Sequence, residues 1–121
     1  MTKILIVDDS IVQRNWVKRS LQQCDYQLIE AENGAHALEA AETQKPDLIL
    51  CDLNMPVMGG IECLTIMQER GTNIPVIVIT ADIQDSTKEQ CLSLGARTVL
   101  HKPVQEPHLL TEITKALGET S

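Results

Sequence analysis

At 121 residues, 43% hydrophobic and 22% charged, the chain has the size of one domain and enough apolar material to bury a core without staples, which excludes a disordered chain. A net charge of −7 speaks against broad contact with nucleic acid or an anionic membrane surface. Phe is absent and Trp16 and Tyr26 stand alone, so the core is aliphatic and no stacking platform for single-stranded nucleic acid can be built.

The first apolar run, Ile4–Val7, predicts a strand and is far too short for a signal peptide or a membrane span. It ends at Asp8 and Asp9. Residues 10–23 then place Val12, Trp16, Val17 and Leu21 at helical spacing, with Ser10 as N-cap. The mixed run "QLIEA" (27–31) predicts an edge strand, and the alanine-rich stretch 34–43 a helix. The run "LILC" (48–51) stops at Asp52 and is followed by Asn54, Pro56, Gly59 and Gly60. Residues 60–70 set Ile61, Leu64 and Met67 on one helix face, with Gly71 as the C′ residue. "VIVI" (76–79) leads to Thr80, and a helix over 84–94 ends before Gly95. "TVL" (98–100) is a short strand leading to Lys102 and Pro103, and 106–117 forms the last helix, with Pro107 in its first turn.

Uninterrupted Val/Ile/Leu runs suit parallel strands covered on both faces. Five alternations of strand and helix give an α/β fold, a doubly wound five-stranded parallel sheet, as one domain over 1–121. The cysteines Cys24, Cys51, Cys63 and Cys91 form no C-x-x-C pair and lie far from His36, His101 and His108. Zinc or redox motifs are therefore not expected, and reduced thiols fit a cytoplasmic protein.

In such sheets, ligands gather at the carboxyl ends of the strands. Asp8, Asp9, Asp52, Thr80 and Lys102 each follow an apolar run at that edge. Carboxylates set close together repel, and a hard divalent cation such as Mg²⁺ relieves them. Lys102 adds a fixed positive charge and Thr80 a hydroxyl donor. An aspartate nucleophile with this charge stabilisation is what phosphoryl transfer needs.

The motifs "VDDS" (7–10), "CDLNMPVMGG" (51–60), "VITA" (78–81) and "HKP" (101–103) resemble the receiver domains of two-component response regulators, a family that includes the stand-alone chemotaxis response regulator. The resemblance covers essentially the whole chain. It implies strand order 2-1-3-4-5 and a phosphorylation-activated switch. By this resemblance Asp52 is the phosphoryl acceptor, and Asp9, Asp52 and the backbone carbonyl of Asn54 hold Mg²⁺, with Asp8 acting through water. Thr80 and Lys102 contact the phosphoryl oxygens, helped by the amides of Ala81 and Asn54. The Lys102–Pro103 peptide is expected to be cis. The donor is a histidine kinase or phosphotransfer protein. The output is altered binding of a target protein through helix 4, strand 5 and helix 5, about residues 84–117, in a monomer or a phosphorylation-dependent dimer.

The chain departs from the family pattern at Val99, three residues before the lysine, where many receivers carry Tyr or Phe. Asn54 and Asp82 flank the path of hydrolytic water by the same resemblance. Three other readings stand beside this one. A receiver fold that binds without phosphate takes support from Val99. A haloacid-dehalogenase-like phosphotransferase would want a second acid where "DLN" has Asn54. A flavodoxin-like flavin binder would want a Ser/Thr/Gly-rich loop where "DDS" repels phosphate.

Overall fold

The computed structural model describes residues 1–118, so the last three positions of the expected domain lie outside the described residues. In chain order the elements are β1 (Lys3–Val7), α1 (Ile11–Ser20), β2 (Gln27–Ala31), α2 (Gly34–Gln44), β3 (Leu48–Cys51), α3 (Gly60–Glu69), β4 (Val76–Thr80), α4 (Asp85–Ser93), β5 (Thr98–His101) and α5 (Glu106–Ala116). All pairings are parallel and the order is β2-β1-β3-β4-β5. The strands fall where the aliphatic runs predict them, within one residue. β3 and β4 are buried throughout, whereas β2 and β5 carry exposed residues and form the edges.

Side chains alternate between the two faces of each strand, and this alternation makes two separate cores. Leu5, Val7, Ile49, Cys51, Val78 and Val99 pack against α2, α3 and Cys91 of α4. Ile4, Ile6, Leu50, Ile77, Ile79 and Leu100 pack against Val17 and Leu21 on one side and Leu109 and Ile113 of α5 on the other. Each fully buried Leu or Ile contributes about 1.5–3 kcal/mol of transfer free energy. Together they fix the sheet on which the polar loops rest.

The expected N-cap Ser10 accepts a hydrogen bond from the Gln13 amide at 3.3 Å, and Asn33 does the same for His36 at 2.9 Å. The first helix ends at Ser20, earlier than the predicted 23. Leu21 leaves helical geometry yet stays in the core at 1% exposure, so the apolar spacing outlasts the helix. Gly71 and Gly95 hold left-handed backbone beyond α3 and α4. The Lys102–Pro103 peptide is cis, as the resemblance implied. No helix among the described residues is long and apolar enough to cross a membrane.

Candidate functional site

The ladder register brings the strand ends level. Val7 pairs with both Ala31 and Cys51, and Cys51 pairs with Val78. The next residues on β1 and β3, Asp8 and Asp52, therefore emerge side by side. Their main chains are tied down: the Asp8 amide donates to Ala31 O at 3.1 Å and the Asp52 amide to Val7 O at 2.9 Å. Each carboxylate then uses one oxygen locally. Asp8 Oδ1 accepts from the Ser10 amide at 2.9 Å, and Asp52 Oδ1 from the Leu53 amide at 2.8 Å. The second oxygens face Lys102 Nζ, at 3.1 Å for Asp8 Oδ2 and 3.5 Å for Asp52 Oδ2.

Asp9 is exposed, but ligand atoms of Asp8, Asp9 and Asp52 lie within 4.8 Å of one another. One lysine does not balance this charge. Burial raises the Asp52 carboxyl above the usual carboxylate range and Asp8 adds repulsion, which Lys102 and the Leu53 amide offset only in part. A set of three hard oxygen donors carrying uncompensated charge fits a divalent cation.

The turn after Asp52 is tight because of its glycines. The Gly60 amide donates to Leu53 O at 2.9 Å, and a Cβ on Gly60 would collide with the Asp52 carbonyl oxygen. Asn54 stands exposed on this turn. Val57 holds φ +67 with 85% exposure, a conformation that disfavours a β-branched residue.

Thr80 sits fully buried at the end of β4, and its Oγ1 accepts from the Asp82 amide at 3.1 Å. Its hydroxyl proton is thus left to donate elsewhere. The Asp82 carboxylate turns to α4, accepting from the Gln84 amide at 2.9 Å and from Thr87 Oγ1 at 2.8 Å. Those two bonds lower its proton affinity. Val99 is buried in the core with Cys91 and Ala96, and His101 is exposed. Cys51 points into the same core, where burial pushes its thiol well up. A cleft of about 460 Å³ between α1 and the segment 102–104 that follows β5 opens on Asp8, Asp52 and Lys102, and Trp16 lines it.

The structure thus gathers Asp8, Asp9, Asp52 and Lys102 directly. Thr80 ends β4, the strand beside β3, and its Oγ1 is engaged by the Asp82 amide; among the described residues it makes no hydrogen bond to these carboxylates or to Lys102. One participant escaped the sequence reading. Arg14 donates through Nη1 to the Asp8 carbonyl and through Nε to Glu30 Oε1 at 2.9 Å. No local pattern announces a bond between α1, the β1 end and the edge strand.

The model of the response regulator receiver domain matches residues 4–114. This chain is a response regulator receiver domain. The receiver is 36% identical over 120 residues to protein PilH of Pseudomonas aeruginosa, covering 98% of this chain and 99% of that one. It is 32% identical over 117 residues to the chemotaxis protein CheY of Listeria monocytogenes, covering 96% and 98%. Among solved structures it resembles a chain of the CheX–CheY–BeF3–Mg²⁺ complex of Borrelia burgdorferi, with a TM-score of 0.89 at 28% identity, covering 94% of this chain and 87% of that one. The receiver is a CheY-like signalling protein, and its acidic group is of the kind that takes a divalent cation in this family.

Proposed function

We propose that Asp52 of this receiver accepts a phosphoryl group from a histidine kinase or a phosphotransfer protein. The observation that carries the proposal is Lys102 Nζ standing between the Oδ2 atoms of Asp8 and Asp52, at 3.1 and 3.5 Å, with Asp9 in reach. Asp52 Oδ2 is the nucleophile, because Oδ1 is occupied by the Leu53 amide. Oδ2 bonds to phosphorus, the donor's N–P bond breaks, and its electron pair returns to the imidazole. Lys102 shifts from the carboxylates to the phosphoryl oxygens, and the free Thr80 proton donates to another.

Asp9, Asp52 and the Asn54 carbonyl are the residues that would hold Mg²⁺, with Asp8 acting through water. When bound, Mg²⁺ supplies positive charge to the carboxylates and the incoming phosphoryl oxygens. The Mg²⁺ named with the Borrelia burgdorferi complex supports this choice of metal. The same site catalyses hydrolysis of the acyl phosphate, with Asn54 and Asp82 flanking the water path.

The output surface is α4, β5 and α5, where a target protein binds. Since Val99 offers no ring to move, the signal passes from Thr80 to Asp82 and on to Thr87 of α4. The protein acts as a single receiver unit over 1–121, as a monomer or a phosphorylation-dependent dimer, in the cytoplasm, and its free cysteines agree with that compartment. Val99 is also what favours a second reading, a receiver fold that binds its partner without phosphate.

Intact mass after incubation with acetyl phosphate tests the proposal. One phosphoryl adduct is expected, lost without Mg²⁺ and lost in Asp52→Asn. A folded protein that takes no phosphoryl group from acetyl phosphate or from a histidine-kinase donor would leave the phosphate-independent reading standing.

A further inference from the structure

All four polar positions of Asp8 are committed. Its amide donates to Ala31 O, its Oδ1 takes the Ser10 amide, its Oδ2 takes Lys102 and its carbonyl takes Arg14. Ala31 and Ser10 come from the sheet and the loop itself, and Lys102 from just past the end of β5. The fourth, Arg14, is a side chain from the next helix, 13% exposed, and it is held in turn. Glu30 on the edge strand β2 accepts from Arg14 Nε at 2.9 Å with one oxygen and from Lys18 Nζ at 3.1 Å with the other. Although burial raises the Glu30 carboxyl, these two cations bring it net below the usual carboxylate range.

Asp9, by contrast, has no hydrogen bond to its carboxylate among the described residues. Its placement follows from the backbone on either side of it. The Asp8 carbonyl belongs to the peptide that joins Asp8 to Asp9, so whatever fixes that carbonyl fixes the direction in which Asp9 leaves the strand.

We propose that Arg14, clamped by Glu30, is a positioning residue that sets the Asp8–Asp9 peptide so that the Asp9 carboxylate meets the metal. This rests on the metal-binding role given above to the acidic group. A planar guanidinium can hold a carboxylate and a carbonyl at fixed angles, which an ammonium cannot. Partners one step removed from a metal typically change its affinity 10–100-fold when lost.

Charge and geometry predict opposite signs here, which makes the proposal testable. A nearby cation repels Mg²⁺, so removing Arg14 as a mere charge would tighten binding. Removing it as a positioning group loosens binding. Mg²⁺ is titrated against Trp16 fluorescence, with isothermal calorimetry as a second readout. Arg14→Met is expected to weaken Mg²⁺ by about tenfold. Arg14→Lys, which keeps the charge and loses the fork, also weakens it. Lys18→Met, which removes a charge that never touches Asp8, leaves it the same or tightens it. Glu30→Gln gives a milder loss and serves if Arg14→Met fails to fold.

A metal-free measurement separates this inference from the metal assignment. Amide exchange at Ser10, whose N–H is bonded to Asp8 Oδ1, should quicken about tenfold in Arg14→Met, while the Ile49 and Ile77 amides stay unchanged. If the wild type binds no Mg²⁺, the metal assignment falls, and faster Ser10 exchange still upholds the positioning role. Unchanged Ser10 exchange, or Mg²⁺ binding that tightens in Arg14→Met, overturns it.

Discussion

The loops after β1 and after β4 meet at one site but are built differently. The β1–α1 loop is bound to its surroundings from several directions. Ala31 holds it from β2, Lys102 from beyond β5, and Arg14, itself held by Glu30, from α1. The β4–α4 loop is bonded mainly to itself, through Thr80 to Asp82 and Asp82 to Gln84 and Thr87. Beyond it, α4 buries only Cys91, and Ile83 stands 75% exposed. The difference separates two duties. Charges that must meet a phosphoryl group within a fraction of an ångström sit on a clamped frame. The segment through which the signal is proposed to pass has little buried surface to give up.

The largest test breaks the turn after β3, which carries Asp52 to the same lysine as the clamped loop. Gly60→Ala drives a Cβ into the Asp52 carbonyl and Leu53, and should destabilise the fold by more than about 3 kcal/mol, read as a fall of roughly 12 °C or more in Tm. A loss of only a degree or two would mean that this turn is more pliable than its Gly60–Leu53 hydrogen bond implies.

A smaller effect of opposite sign comes from Asp52→Asn. The folded state raises the Asp52 carboxyl through burial and through Asp8. Ionised Asp52 therefore penalises the fold, a penalty that is absent below the unfolded value and complete above the folded one. In metal-free buffer at pH 7 the variant should be more stable by about 1 kcal/mol, or roughly 4 °C. The gain should vanish below about pH 4. Thermal melts of both proteins across pH check this.

Asp82→Ala addresses the self-bonded loop after β4 and should be the mildest globally. Asp82 is held below the usual carboxylate range by the Gln84 amide and Thr87. Its contribution is present above the unfolded value and lost as pH falls through the folded one. Amides of residues 85–90 should exchange roughly fivefold faster in the variant, with β1 and β3 unchanged. In the wild type the same amides should loosen below about pH 4, while in Asp82→Ala they should show no acid step. The two sides of the site are thus expected to answer acid in opposite directions. A uniform response of both halves would erase the distinction between them.

The sheet was legible because parallel strands buried on both faces must be aliphatic without interruption, as Ile4–Val7, Leu48–Cys51 and Val76–Thr80 are. The mixed Gln27–Ala31 showed itself as an edge for the same reason. The convergence of Asp8, Asp52 and Lys102 followed from the rule for strand ends, and the resemblance supplied their expected roles. Illegible were features made by distance in the chain or by backbone alone. Arg14 and Glu30 are 16 residues apart on different elements, and neither carries a local mark of the pair. The resemblance set Asp82 beside the water path, but its bonds to Gln84 and Thr87 of α4 are seen only in the structure. Val57 in a left-handed conformation contradicts its own propensity. The helix end at Ser20 was hidden because Leu21 keeps the apolar rhythm after the backbone has turned away.

The cysteines of this receiver make a set of built-in clocks. Cys51 lies on β3, Cys63 on α3 and Cys91 on α4, all buried, whereas Cys24 is half-buried after α1. Burial pushes the Cys63 thiol up to about 11 and raises Cys51 and Cys91 as well. A thiol reagent therefore waits for each element to open. Cys24 reports first, Cys91 times the departure of α4, and Cys51 times the loss of the whole sheet. The order and spacing of those four labelling rates turn the molecule's uneven stability into a sequence of events that can be counted by mass.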